Sequence, residues 1–194
     1  MAAMREGRLG DAAVYKATAL TAAPYPEALI AVTALAEPLP DFAELASTSM
    51  PDGSLGHSYA AFLSRHRIVP LTISAPVRQQ IAPLNLVAAR YVVVHDVFHV
   101  LLGFDISRAG ELAVWSFVAE QRYCRSYEQA AACARVLYPL AEPSARIELK
   151  RQRARAIELA HESTCLIGKP LERYWSQPLA EVRRELGIRS TCDA

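Results

Sequence analysis

Two histidines one helical turn apart, His95 and His99, with Asp96 beside the first and Glu111 twelve residues beyond the second, are the residues of this chain best suited to chemistry. Residues four apart on a helix lie one above the other, so His95 and His99 point the same way and can grip one ion. Asp96 lies roughly 100° round from His95 and about 60° from His99 at helical spacing, which keeps it on the same side. A divalent metal held by His95, Asp96, His99 and Glu111 is the leading reading. Nitrogen and oxygen donors without thiolate suit zinc, iron, manganese or cobalt and do not select among them; zinc is the ion expected here. If all four side chains bind, the metal acts as a Lewis acid at an open position. If Asp96 stays free, it is instead a catalytic proton shuttle beside a three-ligand metal. The pattern H-E-x-x-H uses its glutamate as general base; aspartate stands there in this chain, so peptidase chemistry is not implied. A histidine pair on an apolar helix is also what satisfied core side chains look like. Burying acids among Val92–Val94, Phe98, Leu101 and Leu102 is costly without a compensating charge. A metal supplies that charge, and so, less specifically, would Arg90 or Arg122.

The elements must bring Glu111 back to the histidines. On a continuous helix twelve residues would carry it about 18 Å away. Gly103 after Leu101-Leu102 is a helix stop, Asp105 to Ser107 reads as a loop, and Ser107 or Arg108 can open a second helix. In an antiparallel hairpin His99 and Glu111 would then sit level across a metal.

The remaining chain predicts helices over 11–22, 26–37, 57–67, 75–82, 84–102, 108–124, 126–138, 143–163 and 176–186. Pro24, Pro38, Pro40, Pro51, Pro70, Pro139 and Pro170 fall in the breaks between them. Tyr91–Val94 is β-branched enough to pass for a strand, but the histidine spacing and Gly103 argue that it is helical and buried. The fold expected is all-α: one helical domain over residues 1–194 with the metal site on an antiparallel helix pair.

Composition fits a domain that holds something apolar. Hydrophobic residues make up 52% of the 194 residues, and the mean hydropathy is +0.11. No run approaches the roughly 18 to 20 consecutive apolar residues of a membrane span. Either an alanine-rich helical core, or a greasy tunnel or membrane-touching face, accounts for the excess. Net charge is +1, from 21 basic and 20 acidic residues, which gives nucleic acid nothing to bind. Lys150, Arg151, Arg153 and Arg155 form a local excess on a helix that also carries Glu148 and Glu158. It reads as a solvated face, with a patch for anionic lipid headgroups as the other reading. Cys124, Cys133, Cys165 and Cys192 lack any C-x-x-C spacing and read as free thiols in a reducing compartment. Met1–Gly10 is short and polar, unlike a signal peptide. The expected location is cytoplasmic, or peripheral at the inner face of the cell membrane.

His95, Asp96, His99 and Glu111 also resemble, in order and spacing, the hallmark of the coenzyme Q (ubiquinone) biosynthesis protein Coq-four family. The similarity extends through Arg90-Tyr91 and Val94, His99-Val100-Leu101 with Gly103, and Gly110-Glu111-Leu112-Ala113. It continues upstream in Gly53–Gly56, Tyr59 and Phe62-Leu63. Downstream it continues in Gly168, Pro170-Leu171, Trp175, Pro178-Leu179 and Arg183–Ile188, and so covers about residues 50 to 188. Two departures stand out: Val92-Val93 where members carry a charged pair, and Trp175-Ser176 where they usually carry Trp-Glu.

The resemblance implies that all four side chains bind the metal. It also implies an enzyme that removes the ring carboxylate of a polyprenylated hydroxybenzoate, with oxygen entering at that ring carbon. Arg90 would then steer the anionic headgroup, or else form a buried ion pair with a nearby acid. Tyr59 and Trp175 would line the tunnel for the prenyl tail, or else belong to the core. Two alternatives stay open. One is a non-catalytic prenyl-lipid-binding scaffold of a quinone biosynthetic complex. The other is a divergent enzyme acting on another apolar substrate of a specialised pathway, which the two departures motivate. A homodimer is compatible with either.

Overall fold

The expected all-α architecture is what the computed structural model shows over the residues it describes, 9–189. Residues 1–8, on which most of the leader reading rests, and Cys192 lie outside the described residues. The helices are α1 (Leu9–Leu20), α2 (Pro26–Thr33), α3 (Phe42–Ser47), α4 (Leu55–His66), α5 (Ala75–Gln80), α6 (Leu86–Leu102), α7 (Arg108–Glu120), α8 (Arg125–Ala141), α9 (Arg146–Glu162) and α10 (Leu179–Leu186). Among the described residues the only β pairing is two isolated bridges, Pro24 with Cys124 and Ser54 with Pro178.

α6 is the axis of the molecule. Asn85 caps its start by accepting from the Ala88 amide at 3.1 Å, and Gly103 ends it in the left-handed conformation at φ 75°. Its apolar side chains face every direction, as expected of a helix enclosed by others. That enclosure explains why the β-branched run at Val92–Val94 stays helical: tertiary burial outweighs a modest propensity cost. α1, α2, α4 and α7 all pack against α6. α7 in turn lies against α8 and α9. Phe98, Leu101 and Leu102 of α6 meet Val114, Phe117 and Val118 of α7 in one core. Fully burying a side chain such as Phe98 stabilises the fold by about 1.5–3 kcal/mol.

Three expectations need correction. The stretch 82–102 spans 21 residues at a mean hydropathy of 1.3, so by length and composition it can cross a membrane. Packing accounts for it, since 72% of its most apolar window is buried inside the protein. Pro139 is not in a break but inside α8. It sits in the last turn, where one missing amide costs little, and Glu142 still donates to the Tyr138 carbonyl at 2.9 Å. Helix α3 is absent from the expected set; the Asp41 carboxylate starts it by accepting from the Ala43 and Glu44 amides at 3.0 and 3.1 Å. Cys124 is buried and Cys133 and Cys165 are exposed, all three unbridged.

Candidate metal centre

The turn from α6 to α7 is built by local hydrogen bonds. The Gly103 and Phe104 amides both return to the His99 carbonyl, at 2.9 and 3.1 Å. Asp105 Oδ1 accepts from the amide and hydroxyl of Ser107 at 3.0 and 2.5 Å. Ser107 then caps α7 by accepting from the Gly110 amide at 3.2 Å. Gly110 is needed for this closure, because a Cβ there would overlap the Asp105 carbonyl oxygen. The turn leaves Glu111 in the first turn of α7, facing the histidines.

His95, His99 and Glu111 come together, with one ligand atom from each lying within 4.8 Å of the others. His95 Nε2 is 3.6 Å from Glu111 Oε2, and His99 Nε2 is 3.4 Å from Glu111 Oε1. Each imidazole is held from behind by an acceptor. His99 Nδ1 lies 3.2 Å from the Phe104 carbonyl, and His95 Nδ1 lies 3.1 Å from Asp96 Oδ1. A carbonyl or carboxylate can only accept, so both rings carry their hydrogen on Nδ1 and turn Nε2 toward Glu111. His99 Nε2 is buried there without a hydrogen-bond partner. An imidazole lone pair opposed to a carboxylate oxygen requires a cation between them, either a proton or a metal. The separations suit a metal: ligand atoms about 2.0–2.1 Å from a tetrahedral zinc lie about 3.3 Å apart. The residues therefore fit a divalent metal, with ring orientation fixed by outer acceptors as in known histidine sites.

Asp96 does not join that group; its carboxylate is turned onto the far nitrogen of His95. Tyr91, one turn before His95, meets its ring edge-on at 5.6 Å, and Phe62 stacks on His99 at 5.8 Å. Both contacts follow from helical spacing, Tyr91 at four residues from His95 and Phe62 on the facing helix α4. Phe62 also lines a cleft of about 390 Å³ that reaches His99 and includes His57, Arg65, His66 and Asp105. On the α1 side lies an apolar cavity of about 390 Å³, whose lining includes Tyr91, Val92, Trp115 and Tyr127.

The other expected residues lie elsewhere. Arg90 is fully buried and cannot reach a headgroup. It donates to the carbonyls of Ile167, Pro38, Glu37 and Lys169, with Glu172 at 4.0 Å as its acid. The steering role is thus corrected to the buried ion pair. Tyr59 and Trp175 are core: their rings pack at 5.1 Å and both meet Phe42. Trp175 Nε1 donates to the Leu45 carbonyl at 3.1 Å. Tyr59 nonetheless feels the site, since its hydroxyl is pushed far up by burial first and by the Asp96 charge next.

The electrostatics predict how metal uptake depends on pH. Burial disfavours the charged form of His95, but the acceptor carboxylates of Asp96 and Glu111 outweigh it and lift the ring to about 9. Burial likewise raises Glu111, and the two imidazoles that face it, His95 and His99, pull it down to about 2. Without metal, the raised His95 contributes stability that is complete below its unfolded value near 6.5 and lost as pH rises through about 9. The depressed Glu111 contributes stability present above its ordinary 4.5 and lost as pH falls through about 2. Metal must displace the His95 proton. Apparent metal affinity is therefore expected to rise about tenfold per pH unit from neutrality and to level off near pH 9, measured by competition with a chelating dye. A flat profile would remove His95 from the ligand set.

The family described as Coenzyme Q (ubiquinone) biosynthesis protein Coq4 matches residues 36–191. The COQ4 homologue of Danio rerio, a ubiquinone biosynthesis protein named mitochondrial, is 34% identical over 143 residues, which is 73% of this chain and 51% of that one. Its Homo sapiens counterpart is 33% identical over 141 residues, covering 72% and 52%. The chain thus spans about half the length of the curated relatives it matches. The crystal structure of a putative ubiquinone biosynthesis protein from Nostoc punctiforme shares the fold, with a TM-score of 0.65, 23% identity and coverage of 94% and 83% of the two chains. With the profile match spanning most of its length, the chain belongs to the Coq4 family of coenzyme Q (ubiquinone) biosynthesis proteins.

Proposed function

We propose that this protein is a metal-dependent enzyme of ubiquinone biosynthesis that acts on the headgroup of a polyprenylated hydroxybenzoate. The net change is loss of the ring carboxylate as carbon dioxide with one atom of dioxygen entering at that carbon as a hydroxyl, the other atom leaving as water with two protons and two electrons from an external two-electron reductant. The observation that carries this reading is the convergence of His95 Nε2 and His99 Nε2 on Glu111, with a cleft reaching His99 and an apolar cavity lined by Tyr91, the residue packed edge-on against His95. His95, His99 and Glu111 would hold the metal, zinc foremost. When bound, the metal supplies Lewis acidity that stabilises negative charge on a carboxylate or phenolic oxygen. Asp96 orients His95 by accepting its Nδ1–H, the position of an outer partner rather than a ligand. Phe62 and Tyr91 fix the two rings. The cavity beyond Tyr91 and Trp115 suits an apolar tail, and the cleft beside His99 suits a polar headgroup.

One observation favours a changed substrate as a second reading. Val92, one of the two departures from the family resemblance, lines the apolar cavity itself. Expression in a strain lacking its own family member separates the readings. Quinone restored by the parent and not by His99→Ala supports the proposal. Quinone restored equally by both points to the lipid-binding scaffold, and none from the parent points to the divergent enzyme.

A further inference from the structure

We propose that the turn joining α8 and α9 is a docking surface for an anionic lipid bilayer. Four large apolar side chains are bare there: Val136, Leu137 and Leu140 at 56, 57 and 64% exposure, and Ile147 at 83%. So many exposed aliphatic side chains on one hairpin mark an interaction surface. Between α8 and α9 runs a groove of about 430 Å³ with an apolar floor of Leu112, Pro139 and Leu149. Arg135, Arg146, Lys150 and Arg153 line the same groove, and no acid does.

The two acids of this stretch are already engaged. Glu142 holds Arg108 at 3.0 Å, and Glu148 holds Arg151 at 2.8 Å and Gln152 at 2.6 Å. The basic run of α9 is thereby divided: Arg151 is paired and Arg155 lies 5.8 Å over the Phe104 ring. Lys150 and Arg153 remain for the groove. Cations around aliphatic side chains match a bilayer, which presents phosphates at its surface and hydrocarbon just beneath. A second copy of the chain is a poorer match, because a two-fold contact through this face would set the same cations against each other. The face lies close to the metal centre. Leu112 of the groove follows Glu111, and Tyr138 of α8 is pushed up by burial first and by the Glu111 charge next. Docking here would bring the site to the membrane, so an apolar substrate need not cross water. Such docking requires neither turnover nor bound metal.

Sedimentation of the full chain with vesicles tests it. The parent is expected to bind phosphatidylcholine vesicles containing phosphatidylglycerol, to bind less as salt rises, and to ignore phosphatidylcholine alone. Each cation contributes roughly fivefold, so Arg146→Glu with Lys150→Glu should lose at least about 25-fold in affinity. Leu140→Asp with Ile147→Asp should lose at least about tenfold. These side chains are exposed, so both variants should keep their circular dichroism. Leu29→Asp with Ile30→Asp on α2 should bind as the parent does, and so should His99→Ala, which separates this inference from the metal reading. No binding of the parent to anionic vesicles, or undiminished binding by the hairpin variants, would overturn it. So would a parent dimer that Leu140→Asp with Ile147→Asp turns into a monomer without changing vesicle binding.

Discussion

Replacing His95, His99 or Glu111 with alanine is expected to strip the purified protein of its transition metal while its helices stay in place. Each substitution leaves two of three donors, and the lost affinity should exceed the ~10–100-fold that removing an outer partner of a metal ligand costs. Elemental analysis of parent and variants, with circular dichroism alongside, gives the measurement. One equivalent in the parent and essentially none in the variants is the expected outcome. Full occupancy in all three variants would sink the assignment. The helical signal should survive because His95 and Glu111 are half-buried at the mouth of the site, and the α6–α7 turn is held by Gly103, Asp105 and Ser107 instead. Asp96→Asn extends the series. As an outer partner it should weaken metal binding by ~10–100-fold and leave the site loadable at higher metal concentration. Loss as complete as that of His99→Ala would make Asp96 a ligand.

The same three residues show how far a sequence can be read. The His95–His99 spacing, Gly103 and Ser107 act through local geometry, with partners within a few residues, so the hairpin and the approach of Glu111 are legible. The acceptor behind His99 is not, because the Phe104 carbonyl is a backbone atom that every residue possesses. Helix α3 escapes because six residues between prolines carry too little periodicity, although Asp41 is a cap signal. Pro139 misleads because proline forbids a helix interior but not its final turn. Tyr59 and Trp175 are aromatic in sequence whether they line a tunnel or fill a core. Their partner Phe42 and the Leu45 carbonyl are brought to them only by the tertiary fold.

Arg90 is the sharpest case, since its position before His95 suggests substrate while its contacts are all structural. Its guanidinium spans two distant segments: Glu37 and Pro38 on one side, Ile167 and Lys169 on the other. Burial pushes it down to about 10, against the charges of Glu172 and Glu37, so it stays charged at neutral pH. Arg90→Met would leave the carbonyls of Glu37, Pro38 and Ile167 without their side-chain donor and the buried Glu172 carboxylate, 4.0 Å away, without its opposite charge. Removing one partner of a buried charge pair costs about 3–5 kcal/mol, which in a chain of this size lowers Tm by about 10 °C. Arg90→Lys should recover little, because one ammonium on a flexible stem cannot reproduce a planar fork set among several carbonyls. Thermal unfolding measures this, and elemental analysis at low temperature should find the metal retained, since no Arg90 contact touches His95, His99 or Glu111. A headgroup-steering arginine would behave in the opposite way, with Tm unchanged and substrate affinity reduced. A Tm within about 1 °C of the parent would therefore return Arg90 to the substrate and leave the two segments it bridges to be held by other contacts.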